Sequence, residues 1–222
     1  MNRMPRAIEF GDLRRTTPID SAFGLGRGRP VDRYYIEAFL ERHADDIRGH
    51  VLEVTEANYT HRYGGDKVIQ SDVLCAPPGN ANATIVADLA HADELPGEQF
   101  DCFICTQTLT YIYPLERALH HAHRLLRPNG VLLVTVPGIS QISPTDDSTW
   151  GEYWRFTRRS LTRLLQGAFG EDNVSVRSCG NVLTSIAFLH GLAMEDLSRD
   201  ELDVHDEHYP LVILGRAVKS QA

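Results

Sequence analysis

Five short apolar runs order the first two thirds of the chain: "HVLEV", "KVIQSDVL", "TIVADL", "FDCFICTQTL" and "VLLVTVPG". Bounded by Pro, Gly and polar clusters, they read as strands. Most are apolar on both faces, the pattern of a parallel sheet covered on both sides. Helical patterns or short crossovers separate them. "VDRYYIEAFLERHADDI" spaces Tyr35, Ile36, Phe39 and Leu40 as one helix face, with Asp32 as N-cap. "PLERALHHAHRLL" runs into "RPNG", a helix stop. Strands alternating with such crossovers make an α/β fold.

After Gly138 the texture changes. A polar, aromatic segment, "ISQISPTDDSTWGEYWRFT", precedes a helix "RRSLTRLLQGAF", a strand "NVSVRSCGN", an apolar helix "VLTSIAFLHGLAMEDL" and a last strand "PLVILGRAVK". This last strand is expected to insert antiparallel at the edge region of a mainly parallel, seven-stranded sheet. Residues 1–30, with "AFGLGRGRPVD", read as an irregular arm able to fold over a site. Residues 31–222 read as a single domain with a cap and acceptor segment at 139–165.

Length and charge bound the function. A chain of 222 residues with 42% apolar residues buries one substantial core. The formal charge of -8 argues against nucleic acid, whose binding runs on Lys and Arg. The N-terminus has no apolar signal region and no run is long enough for a membrane span, so a cytoplasmic protein is expected. Four cysteines without scaffold spacing fit a reducing compartment. In "CFIC", Cys102 and Cys105 point to opposite faces of a strand and read as core.

The succession "HVLEV", "SDVL", "IVADLAHADELP", "FDCFICTQTLTYI" and "ALHHAHRLLRPNGVLLVTVPG" resembles the class I S-adenosylmethionine-dependent methyltransferases, which share a Rossmann-like fold. It is similar in particular to a small bacterial subset found beside or fused to glycosyltransferases, with heads like "PVDRYYIEAFL" and turns like "ANYTHRYGG". The resemblance runs from about Phe23 to Lys219. It implies S-adenosylmethionine at the carboxyl ends of the strands, where open α/β sheets bind ligands. Glu53 would then support the methionine end. Asp72, 19 residues on, would take the ribose hydroxyls, and Asp88 the adenine amino group with Leu89 beside it. Thr106 and Gln107 would flank the reacting methyl. The glycines usual after the first strand are absent from "EVTEANYT". Asn58 is the candidate for a left-handed turn there, with Tyr59 flanking the methionine chain. Without that glycine turn, NAD and FAD are disfavoured.

The acceptor site is expected in 139–157, where Gln141, Trp150, Trp154 and Arg155 gather; Trp150 and Trp154 would alternatively form one apolar helix face. Aromatic faces with polar groups suit a small-molecule acceptor such as a sugar or glycoside, and Tyr34 and Tyr35 could close over it with Arg27 and Arg33. Methyl transfer to a hydroxyl needs positioning and a base. Asp146, Asp147 and Tyr153 are the candidates, with His120, His121 and His190 as outsiders, the histidines near "LLRPNG" reading as surface. Asp203, His205, Asp206 and His208 of "LDVHDEHYP" read as a solvated loop, and no metal is expected. The resemblance therefore implies O-methylation of a sugar or glycosylated natural product. The alternative is a noncatalytic module of the same fold that partners a glycosyltransferase. The oligomeric state is open, a homodimer being one option.

Overall fold

The computed structural model describes residues 9, 11, 14–76 and 79–221. Most of the arm's first thirteen residues, and Pro77 and Pro78 of the loop after the second strand, lie outside the described residues.

Seven strands form one sheet: β1 (Gly49–Val54), β2 (Val68–Cys75), β3 (Ile85–Val86), β4 (Phe100–Thr106), β5 (Leu126–Pro137), β6 (Val174–Cys179) and β7 (Val212–Val218). Their order is β3-β2-β1-β4-β5-β7-β6. Pairing is parallel from β3 to β5, while β7 runs antiparallel to both β5 and β6. The last strand is thus antiparallel in the edge region, one position in, with β6 outermost. The third strand is shorter than "TIVADL" suggests, because only Ile85 and Val86 pair with β2.

Alternation along the strands fills two cores. On one face Leu52, Phe103, Cys105, Leu132 and Val134 pack under α2 (Leu115–Leu125) and α4 (Arg158–Phe169). On the other Val51, Cys102, Ile104, Leu133 and Leu214 pack under α1 (Val31–Arg42) and α5 (Val182–Leu189). Cys102 and Cys105 are buried in opposite layers. A fully buried side chain such as Phe103 or Leu133 contributes about 1.5–3 kcal/mol. His121 belongs inside as well, 2% exposed on α2, where a surface position was expected.

Local signals explain the element ends. Thr157 and Ser160 form a reciprocal capping box that starts α4, and Gly170 ends it at φ 85°. A further short helix, α3 (Pro144–Trp150), is started by Ser143, whose side chain accepts from the Asp146 N–H, with Pro144 in the first turn. Gly151 stops α3, so Trp154 lies beyond it and does not share a helix face with Trp150. In α1 the N-cap is Pro30; Asp32 lies inside the first turn and caps nothing.

The described part of the arm is irregular, yet it is packed rather than linker-like. Ile19 and Asp20 donate to the His190 carbonyl, at 2.8 and 3.2 Å. Arg27 makes two bonds to Asp196, at 2.9 and 2.7 Å, and Phe23 lies 5.5 Å from Phe188 between ring centroids. Gly191 permits this approach: at φ 69°, a Cβ there would stand 1.8 Å from the Asp20 carbonyl oxygen.

Candidate functional site

The carboxyl edge of the sheet carries two adjoining hollows. The first, about 410 Å³, lies over the ends of β1, β2 and β4 and the turn after β3, lined by Thr55, Ala76, Asp88, Leu89, Thr106 and Ile112 among others. The second, about 230 Å³, lies over β4, β5 and the start of β7 and is roofed by the arm, with Phe23, Asp32, Arg33, Thr110, Ser140 and Phe188 in its wall. Gln107, Tyr111 and Asp146 line both. They mark the seam.

Two residues of the first hollow hold left-handed backbone without being glycine: Thr55 at φ 73° and Gln107 at φ 52°. A β-branched residue there is strained, and such strain gathers at ligand sites. The structure holds it with hydrogen bonds: the Thr55 N–H donates to Leu74 at 2.9 Å and the Gln107 N–H to Thr135 at 2.8 Å. Asn58, the residue expected to take the left-handed turn, instead opens a helical turn that continues through Thr60–Gly64, and its side chain turns outward to Glu56. Tyr59 turns away too, stacking on Tyr63 at 6.1 Å.

Glu53 lies beneath this turn. Its carboxylate accepts from the N–H groups of Tyr59 and Thr60, at 3.2 and 2.7 Å, and from the Thr60 hydroxyl at 2.7 Å. At 3% exposure it braces the loop and lines neither hollow. Burial pushes its carboxyl above the usual range, against the pull of the three donors.

Asp72 departs most from its expected place. Strand β2 continues to Cys75, so Asp72 sits three positions before the strand end, opposite Leu52. His50, Thr84 and Gln70 occupy its oxygens. Burial raises its carboxyl, and the Thr84 and His50 hydrogen bonds outweigh this, holding it below the ordinary range. The second strand's end offers Cys75 and Ala76, not an acid.

Asp88 and Leu89 do reach the first hollow, with Thr106 and Gln107. Asp88 caps the turn Leu89–His91 through the Ala90 N–H at 2.9 Å, and half its side chain remains exposed. Trp150 closes the hollow from α3.

Of the three candidate bases, only Asp146 lines the hollows. It accepts from the Tyr111 hydroxyl at 3.2 Å, and burial raises the Tyr111 phenol, keeping it a neutral donor. Asp147 accepts from the Glu152 N–H. Tyr153 packs on Tyr113 outside both hollows. Trp154 also stacks on Tyr113, and its indole N–H donates to Ile112.

Gln141 and Arg155 turn out to be latches. Gln141 donates to the Ser21 carbonyl at 2.7 Å, tying cap to arm. Arg155 pairs with Glu152 at 2.7 Å and donates to the Ser140, Gln141 and Trp154 carbonyls. Tyr34 and Tyr35 bond to Asp203 and to the Leu202 carbonyl, away from the site. Asp32, Thr55 and Tyr111 are among the lining residues that sequence reasoning passed over. Tyr111 sits in "TQTLTYI" just beyond the fourth strand, the one position where spacing could have flagged it.

A family model described as a methyltransferase domain matches residues 23–134. No protein of curated function matches. Solved structures match across most of the chain. A SAM-dependent methyltransferase from Archaeoglobus fulgidus aligns with TM-score 0.54 and 13% identity, covering 84% of this chain and 94% of that one. The N-methyltransferase NodS from Bradyrhizobium japonicum WM9 aligns with TM-score 0.54 and 16% identity, over 86% and 98%. Phosphoethanolamine N-methyltransferase 2 from Haemonchus contortus, solved with phosphomonomethylethanolamine and S-adenosylhomocysteine, aligns with TM-score 0.56 and 15% identity, over 97% and 61%. At these identities the likeness speaks for the fold alone. The family match spans half of the chain, and with a sheet of matching architecture it places this protein in the methyltransferase-domain family.

Proposed function

We propose that the protein methylates a hydroxyl of a small sugar or glycoside, with S-adenosylmethionine as methyl donor. The observation that carries this reading is the pair of hollows meeting at Gln107, Tyr111 and Asp146. One holds the donor, the other the acceptor, and transfer takes place at the seam.

The first hollow fits a nucleoside. Leu74, Ala87, Leu89 and Ile112 give apolar walls for a flat ring, and Asp88 offers a carboxylate for an exocyclic amine. Thr106, Gln107 and Thr108 are the polar groups available to ribose, since β2 ends without an acid. Bound there, S-adenosylmethionine supplies an electrophilic methyl on sulfur. The chain's own residues position and desolvate the partners. Asp146 takes the acceptor's hydroxyl proton as the new C–O bond forms, while the electrons of the broken C–S bond stay on sulfur. Tyr111 holds Asp146 in place.

Calorimetric titration with S-adenosylmethionine and S-adenosylhomocysteine tests the reading. Micromolar affinity supports it. Absence of binding by the folded protein would favour the noncatalytic module, with the glycosyltransferase partner that the sequence resemblance implies. Asp88→Ala should weaken both ligands by about 1–3 kcal/mol, the cost of leaving the amine without its acceptor.

A further inference from the structure

Asp32 is the anomaly of the second hollow. It is 7% exposed, its side chain about nine-tenths buried, and it lines the wall over β4, β5 and β7. Arg33 reaches its Oδ2 at 3.4 Å, while its Oδ1 is buried with no hydrogen-bond partner. Buried carboxylate oxygens are nearly always satisfied, so such an orphan calls for an explanation.

A structural role does not supply one. The first-turn N–H groups of Asp32 and Arg33 pull on its carboxyl, yet none closes a hydrogen bond to Oδ1, and the ion pair with Arg33 engages only the other oxygen. Its position, on the acceptor side of the seam, leaves a ligand as the missing partner. Resting on the function proposed above, we infer that Asp32 anchors the acceptor, its free oxygen accepting a hydrogen bond from a hydroxyl or ammonium of a single pyranose ring.

The hollow sets the ligand's size and chemistry. At about 230 Å³ it falls below the roughly 300–1,000 Å³ of sites for drug-sized ligands. One ring fits that space, where a polycyclic aglycone would not. Phe23 and Phe188 offer apolar surface to the C–H face of a sugar. Thr110 and Ser140 add hydroxyls that both donate and accept. Burial raises the Asp32 carboxyl while the Arg33 guanidinium favours its charged form; as a carboxylate it only accepts, so the group placed on its free oxygen is a donor. An acceptor without a donor there would leave that buried oxygen without a partner and bind more weakly.

The test works without the natural acceptor in hand. Wild type and Asp32→Asn, both saturated with S-adenosylhomocysteine, are titrated with the methyl pyranosides of glucose, galactose, rhamnose and 2-amino-glucose, with binding read by saturation-transfer NMR. At least one probe should bind the wild type and bind Asp32→Asn about tenfold or more weakly, while S-adenosylhomocysteine affinity stays the same. Asp32→Ser guards against a misfolded variant, and both variants should remain folded, since Oδ1 has no partner in the fold and asparagine keeps an oxygen for Arg33. The inference falls if no probe binds the wild type, if the variants bind the probes equally well, or if both variants unfold. It also falls if Asp32→Asn loses S-adenosylhomocysteine, which would place Asp32 on the donor. Failure of the wild type to bind S-adenosylhomocysteine is a separate outcome, overturning the proposed function and this inference with it.

Discussion

Thr55 does what glycine ordinarily does in such a turn, and at a cost. Left-handed backbone at a non-glycine residue costs about 1–3 kcal/mol, while glycine loses about 0.5–1 kcal/mol through its freer unfolded state. Thr55→Gly should therefore stabilise the protein by about 1 kcal/mol in a urea melt and keep cofactor affinity. A loss of affinity would show that the threonine side chain itself is read by the ligand. Beneath it, Thr60→Ala removes one of three donors from buried Glu53. Because the folded-state pKa of Glu53 is raised, its favourable share of stability is present below the unfolded pKa and lost as pH rises through the folded one. Removing a donor pushes the folded value higher, so the variant should lose about 1–3 kcal/mol at pH 7 and progressively less toward pH 4. Neither role was legible in the sequence. A β-branched residue is the least expected occupant of a left-handed turn, so Asn58 drew the assignment, and the end-of-strand acid pattern cannot distinguish a ligand carboxylate from a brace.

At the scale of elements, much more was legible. The helix over 158–169 follows from its periodicity and its Thr157 start, and β1, β4 and β5 from their apolar runs. Asp72 was misplaced because a spacing of 19 residues fixes a distance along the chain, not where the strand stops; β2 pairs on to Cys75, leaving the acid inside. The cap was misjudged at Gly151, whose turn separates Trp150 from Trp154. One contact between elements is open to a direct test. Arg216 of β7 makes two 2.8 Å bonds to Asp46, in the segment before β1. Burial raises the Asp46 carboxyl, and the Arg216 hydrogen bonds and charge more than offset this, leaving it below its usual range. A depressed carboxyl contributes stability above its unfolded pKa and loses it as pH falls through the folded one. Asp46→Asn should thus cost about 1–2 kcal/mol at pH 7, allowing for partial exposure, with the difference from wild type closing below about pH 4 in parallel thermal melts.

Across the whole molecule, the two hollows are built by different parts of the chain. The first is made mostly by strand ends and the turns that follow them, features with sequence signals, and is closed by Asp146 and Trp150 of α3. The second is assembled from the arm, α1, the cap and the start of β7, which are far apart in sequence. No single local pattern in the sequence brings those four segments together. This division predicts a separable variant. Gly191→Ala drives a Cβ into the Asp20 carbonyl and should lift the arm. S-adenosylhomocysteine affinity should stay within about twofold to threefold, while pyranoside binding falls by about tenfold or more; equal losses of both would show that the arm supports the whole edge.

The place of β7 between β5 and β6 also sets a timetable. Neither neighbour can complete its ladder until residues 212–218 arrive, and among the described residues β6 has no other strand to join. Contacts this distant in sequence form late, because chain closure must precede any gain from pairing. Until then the refolding chain carries two unsatisfied strand flanks, one of them the apolar β5, at which a second unfinished molecule can attach. Refolding yield should accordingly fall as protein concentration rises, even though the finished fold tucks that vulnerable ribbon well inside.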